Sequence, residues 1–405
     1  MDENSQIKSI IKQKGFLLLL FLILNSVTWF FLIMYAIEST SNSPTLKTLF
    51  QLKWIFFSAV LVSMLAGPLL DKKVNNRIYF LLVWVILGIG SSLSYAVLPS
   101  FGKYGFVILL VFWGVTFGIG FPSCLSLVSL LTKIETRGRA GGITFFLTYV
   151  ILPLLFILIG RLDALSISLM LAIWRGLGLG AFLLHPNQGE ISYPLKSVSY
   201  YSVIRRRVFL LYFLPWLAFC LMNYSEMPNF EQFFGESTAN LMSSASFMIG
   251  CLSSIVSGWI VDLKGRRWGI TLALVVIGLG YAILSVFPSS SFAQALFTIA
   301  DGIAFGILTV MFMFVVWGDI ADGERGEKFY AIGDVPVPLA IGLSTLISPW
   351  LVTLGANGAF SLASFFLLLA VIPIFFAPEL LPERIIKKRE LKEYVEKVKE
   401  ITGRD

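Results

Sequence analysis

The sequence has little charge and almost no histidine. Only 14% of its 405 residues are Asp, Glu, Lys or Arg, against about 25% in ordinary soluble chains, and a water-soluble globule is excluded. The single histidine, His185, ends an apolar run and reads as a solvated helix cap. There is no His-Glu-x-x-His, no Gly-x-x-x-x-Gly-Lys-Ser/Thr and no cluster of metal-ligand residues, so hydrolytic chemistry and direct ATP drive are poorly supported. The expectation is a non-enzyme with neither cofactor nor metal. The three cysteines, Cys124, Cys220 and Cys251, lie inside apolar runs without metal or redox spacing and read as small buried apolar residues.

What is there is apolar surface: 57% of the residues are hydrophobic and 15% aromatic. Crossing a ~30 Å hydrocarbon core takes ~20 apolar residues. Twelve such spans are predicted, near 15–37, 49–70, 78–98, 104–131, 140–160, 163–185, 207–233, 240–261, 268–288, 292–317, 329–353 and 358–378. The basic start (Lys8, Lys12, Lys14) and the run Gly15 to Ile37 imitate a signal peptide. The run is too long for an h-region and no small-x-small cleavage site follows, so it reads as an uncleaved first span.

Lys and Arg orient the chain. The N-terminal tail, the even-numbered loops and the C-terminal tail hold 26 of the 31; Lys47, Lys53, Lys103 and Arg161 lie on the other side, and Arg175 inside the sixth span. Both termini are therefore predicted to be cytoplasmic, in the plasma membrane, and the net charge of +7 reads as topological and not as a nucleic-acid footprint. The expected organisation is an N-terminal six-helix bundle over 1–188, a connector over 189–206, a C-terminal bundle over 207–378 and a tail over 379–405. In that tail Leu391, Tyr394, Val395, Val398 and Ile401 recur at helical spacing. This suggests an amphipathic helix on the membrane or against the loops, a plain solubilising tail being the alternative.

The chain also repeats itself. Gly114, Phe117, Gly118 and Ile119 return 188 positions later (302 − 114) as Gly302, Phe305, Gly306 and Ile307, and Arg137-Gly138 returns at the same offset as Arg325-Gly326. Gly67-x-x-x-Asp71 is echoed by Gly258-x-x-x-Asp262. Two homologous halves of about 190 residues imply a parallel-repeat membrane architecture. At one equivalent position the first half carries Trp113 and the second Asp301.

Twelve spans in two repeated halves, with these loops, resemble the major facilitator superfamily of secondary transporters, nearest to its sugar and organic-ion porters. The family's loop after span two has the form Gly-x-x-x-Asp-Arg/Lys-x-Gly-x-Arg/Lys-Arg/Lys. Here the second copy reads Gly258, Asp262, Lys264, Gly265, Arg266, Arg267, with Leu263 where a base is usual; the first keeps Gly67, Asp71, Lys72 and Arg77 but lacks the second glycine. Glu135-Thr-Arg137-Gly138-Arg139 is similar to the loop after span four. The resemblance implies that Gly67, Asp71, Lys72, Arg77, Arg137, Gly258, Asp262, Gly265, Arg266 and Arg325 form a cytoplasmic gate that latches the halves; static positive-inside anchoring is the alternative. Span five has Pro153 but no Gly-Pro-x-x-Gly-Gly, the mark of proton-driven drug antiporters. The sugar-porter mark after span six is absent too, and Pro378-Glu379 only weakly matches the one after span twelve.

An intramembrane charge costs ~2.5–3.5 kcal/mol on insertion scales and usually faces a cavity. Asp301, near mid-span, is therefore the leading proton or cation site, a structural acid being the alternative. At the end of span seven Asn223, Glu226 and Phe230 share a helical face, and Pro228 is placed to break that helix; these could form an outer lip. Asn25 and Trp29 in span one, and Thr148 and Tyr149 in span five, are further binding candidates beside core packing. Trp113 is expected to face Asp301 if the repeats align. Arg175 is expected to snorkel or to pair with a cytoplasmic group. The interiors of spans one, four, seven and ten hold no Lys or Arg, which favours a neutral or cationic solute. Gly114, Gly118, Gly302 and Gly306 form small-x-x-x-small pairs for close helix contact.

The sequence thus points to a monomeric secondary active transporter of a small organic solute, working by alternating access in the lipid bilayer and coupled to protons through Asp301. Proton-driven multidrug efflux, a facilitative uniporter, and a non-transporting sensor or lipid scramblase on the same fold are the alternatives.

Overall fold

The computed structural model describes residues 14–40, 53–74, 76–100, 103–183 and 196–382, with isolated positions between 385 and 395. Lys8, Lys12, Lys47, His185, the connector up to residue 195 and nearly all of the expected tail helix lie outside the described residues.

In hydrocarbon each backbone N–H and C=O must be paired internally, which makes helices of long apolar runs. The first six spans are α1 Lys14–Thr40, α2 Lys53–Lys73, α3 Arg77–Leu93, α4 Lys103–Leu131, α5 Arg137–Ile159 and α6 Ala164–Leu177. The later ones are α7 Arg207–Phe234, α8 Glu236–Lys264, α9 Arg266–Val286, α10 Ser291–Ile320, the pair α11 Glu327–Gly333 and α12 Pro336–Thr353, and α13 Gly355–Phe376. Eleven helices among the described residues are long and apolar enough to cross a membrane. The remaining span is the one expected over 329–353, which is not one helix. It breaks at Asp334, because Pro336 and Pro338 bring no N–H to the ladder.

Two other local features matter for the site. α10 loosens into a π-helical segment over Val310–Val315, a form common near functional positions. α7 passes without interruption through position 228, so the expected break at Pro228 does not occur; neighbouring helices can re-satisfy a backbone that a proline leaves open.

The sequence repeat is a packing repeat. Built on Gly118, a Cβ would stand 2.5 Å from the Val60 carbonyl, and on Gly306 it would stand 2.5 Å from that of Gly250. Only glycine lets α4 lie this close to α2 and α10 to α8. Ser63 donates to the Gly114 carbonyl at 3.3 Å, and Ser253 donates to the Gly302 carbonyl at 3.2 Å. The same hydroxyl-to-glycine contact therefore clamps the same helix pair in each half. Between the halves, α5 packs along α8 and α12 along α2.

Candidate functional site

Asp301 lies ten residues into α10, about 15 Å along the helix at 1.5 Å per residue, hence near mid-depth. Its Oδ2 accepts a hydrogen bond from Ser246 of α8 at 2.5 Å. Its Oδ1 has no hydrogen-bond partner among the described residues. The side chain is half-buried, and Tyr224 of α7 lies within electrostatic reach.

One turn along, Phe305 carries this wall to the other half. Its ring meets Phe145 edge-on at 5.9 Å and Tyr149 at 6.2 Å, both on α5. Phe247, next to Ser246, lies 5.4 Å from Tyr149, and Phe31 of α1 packs on Tyr149 at 5.8 Å. An acid with a free oxygen thus borders aromatic faces drawn from both halves. Such a wall suits a cation, or the apolar face of a neutral solute with one polar handle.

Of the other sequence-predicted binding residues whose side chains are described, Tyr149 joins this junction. Trp113 does not face Asp301. It is buried in its own half, where its indole donates to the Ser91 carbonyl and the Ser94 hydroxyl, both at 2.9 Å. Thr148 bonds back to the Thr144 carbonyl at 2.7 Å. Asn223 is half-buried, while Phe230, expected at an outer lip, packs among Phe234, Phe297 and Phe360 inside the second half. The side chain of Glu226 lies outside the described residues.

Asn25 and Trp29 serve Arg175 and not a cavity. Arg175 Nη1 donates to Asn25 Oδ1 at 2.9 Å and to Ser26 Oγ at 2.7 Å. Its guanidinium lies 4.4 Å from the centre of the Trp84 ring and 5.4 Å from that of Trp29. At 1% exposure it does not snorkel, nor does it pair with an acid among the described residues. α6 turns it inward, and Gly88 leaves it room, since a Cβ there would stand 2.5 Å from Nε.

The loop motifs meet at the basic end of the bundle, and they meet across the halves. Asp262 accepts from the backbone amides of Gly138 and Arg139, both at 2.9 Å. It therefore caps the N-terminus of α5 and takes Arg266 of its own half at 2.7 Å. At its repeat counterpart, Asp71 accepts from Arg325 at 3.3 Å and from Ser123 at 3.1 Å, with Arg77 at 3.5 Å. Arg77 pairs in turn with Glu327, which also holds Arg325 at 2.7 Å. Arg137 pairs with Asp319, which holds Arg266 at 2.9 Å, and Arg266 donates onward to the Ile134 carbonyl at 2.6 Å.

The two motif glycines have steric work as well. A Cβ on Gly258 would stand 2.4 Å from the Gly138 carbonyl, and one on Gly67 would stand 2.0 Å from that of Ile119. Gly265 adopts φ +107, where the chain turns from α8 into α9, and Glu379 caps α9 from below through the Arg266 amide at 2.7 Å. Lys72 stands apart, exposed at the rim of a hollow lined by Pro68, Ser197, Arg325 and Lys328. In that hollow Lys328 donates to the Val198 carbonyl at 2.8 Å. Burial, and then the charges of Lys72 and Arg325, hold it below the usual lysine range.

Asp319 and Glu327, not singled out in the sequence, complete this network with Glu379, which the sequence offered only as part of a weak motif match. Each is an acid in an ordinary polar loop context, and only the meeting of the two halves gives it partners.

The bundle is thus built of two repeated halves, with the acid Asp301 on α10 beside the wall where they meet. The family profile described as Major Facilitator Superfamily matches residues 227–403. Among solved structures it is similar to the proton:xylose symporter XylE, with a TM-score of 0.72, 14% identity, and 92% of this chain and 97% of that one covered. It is similar also to FucP in its outward conformation, with a TM-score of 0.69, 10% identity, and 91% and 99% covered. A third is the human organic anion transporter MFSD10, with a TM-score of 0.65, 15% identity, and 89% and 98% covered. At these identities the likeness is one of fold. No curated protein sequence matches the chain.

Proposed function

We propose that the protein is a proton-coupled secondary transporter of a small neutral or cationic organic solute, with Asp301 as the coupling acid. The observation that carries this reading is the Oδ1 of Asp301, without a hydrogen-bond partner among the described residues, near mid-depth in the wall where the halves meet. An ionised acid left unmatched in a low-dielectric site is costly, so it is kept where a proton or a cationic group arrives and leaves. The aromatic faces of Phe305, Phe247 and Tyr149 would bind the body of the solute.

The basic end is cytoplasmic in this reading, at the plasma membrane, by the bias of Lys and Arg. Asp71, Arg77, Arg137, Asp262, Arg266 and Arg325 then act as the cytoplasmic gate. The arrangement described corresponds to the state in which that gate is shut, and transport proceeds by its parting as the halves rock.

The test is flux in proteoliposomes across a solute library, with and without a proton gradient. Asp301→Asn should abolish uphill accumulation while leaving counterflow exchange intact. Unchanged pH-driven accumulation in that variant overturns the assignment. Accumulation that no gradient drives, in the unaltered protein, would leave a facilitative uniporter.

A further inference from the structure

A second intramembrane acid was not singled out in the sequence. Asp334 sits at the break between α11 and α12 and is 3% exposed. Its Oδ1 accepts from the Trp317 indole at 3.2 Å, and its Oδ2 has no partner among the described residues. The groups facing it are few. α7 brings Cys220, within electrostatic reach; α10 brings Trp317; and α11 brings Tyr330, which also senses Asp319 and Arg137. No Lys or Arg forms an ion pair with Asp334 among the described residues. An ionised Asp334 would be a buried charge met by one neutral donor, a far costlier arrangement than the neutral acid.

Its position relates it to both features already described. On α7, Trp216, Cys220 and Tyr224 follow one another at four-residue spacing and so share a face. Tyr224 is within electrostatic reach of Asp301 and of Cys220, and Cys220 is within reach of Asp334. Trp216 Nε1, on the same face, is another buried polar atom without a partner among the described residues. On the other side, Tyr330 is one turn from Asp334, and Trp317 is two residues from Asp319 of the Arg137–Asp319–Arg266 cluster. Asp334 is thus linked through Cys220 and Tyr224 toward Asp301, and through Tyr330 and Trp317 toward the Arg137–Asp319 pair.

We propose that Asp334 is a second proton-binding residue, protonated while the latch is closed and exposed to release its proton when Arg137 and Asp319 part. Protonation of Asp334 stands on its own surroundings; only the passage of protons between it and Asp301 rests on the function proposed above. The proton travels as such, from one carboxyl oxygen to water or to the other carboxylate, and no other bond changes.

Infrared difference spectroscopy of the full-length protein in lipid, stepped in pH, reads this directly. The C=O stretch of a protonated carboxyl should be present at neutral pH, vanish in Asp334→Asn and return, displaced, in Asp334→Glu. It should persist in Asp301→Asn. Disrupting the latch with Arg137→Ala should move the loss of the Asp334 band to lower pH, because the site is then wet. A spectrum that Asp334→Asn leaves unchanged, with Asp334→Glu equally silent, overturns the proposal. Failure of the Asp301 reading would appear separately, as uphill transport surviving Asp301→Asn with the Asp334 band intact.

Discussion

The carboxylate of Asp262 caps a helix that belongs to the other half of the molecule, taking the amide of Gly138 at 2.9 Å. An N-cap of this kind contributes about 1 kcal/mol, and an anion at a helix N-terminus adds a few tenths to 1 more. If the basic end opens as proposed, the contact weighs about 1–2 kcal/mol on the balance between its closed and open states, roughly 5- to 30-fold in their ratio.

Gly138→Ala tests that weight. The new Cβ would lie 2.6 Å from Asp262 Oδ1 and 2.7 Å from the Gly258 carbonyl, so the cap cannot form without the helices parting. Spin labels on cysteines replacing Tyr79 and Trp268, both exposed near that end in opposite halves, should show the longer-distance population growing. Asp262→Asn keeps an acceptor and should shift the distribution less. A Gly138→Ala protein with wild-type distances would remove Asp262 from the gate.

Arg175 makes a prediction of the opposite kind, stability without function. Its cation–π contacts with Trp84 and Trp29 and its bonds to Asn25 and Ser26 tie α6 to α1 and α3. Truncation leaves Asn25 Oδ1 without its donor, at about 1–3 kcal/mol, and a cavity besides. Arg175→Ala should therefore unfold several degrees lower in detergent, followed by tryptophan fluorescence. Arg175→Met, which fills the slot without a charge, should recover most of the loss. Solute affinity of the folded fraction should not move in either variant. A selective loss of affinity in the stable Met variant would put Arg175 in the transport path instead.

How far the sequence foretold this follows from what each residue depends on. Spans and repeat were legible because they rest on composition and on glycines whose spacing is preserved, such as Gly118 and Gly306. Asp301 was legible because lipid makes an acid conspicuous. Asp334 was passed over although the expected span 329–353 contains it, because it lies five residues from the start of that span, where a charge at a helix end is unremarkable. Trp113 and Trp29 were misplaced for a different reason: a helical face says which residues point together, not whether they point at a cavity or at a neighbour. Arg175 shows the same limit, because its aromatic and amide partners come from two other helices, α1 and α3. The ion-pair cluster at the basic end was half legible, its motif residues visible but Asp319 and Glu327 meaningful only once the halves meet.

The aromatic junction gives the prediction closest to substrate. Phe305 and Tyr149 face each other from opposite halves at 6.2 Å, one turn from Asp301. If these rings bind the body of a cationic or amphipathic solute, losing one should cost ~0.5–1.5 kcal/mol, hence a KM raised roughly 2- to 12-fold. Phe305→Leu keeps the apolar volume and removes the ring, so it isolates that contribution; Tyr149→Phe keeps the ring and removes the hydroxyl. Uptake kinetics should show the first weakened and the second near wild type, with the basic-end spin-label distances unchanged in both. The reverse pattern would make the Tyr149 hydroxyl the recognising group and point to a solute held by a hydrogen bond. Equal, unaltered KM values in both variants would place the solute elsewhere.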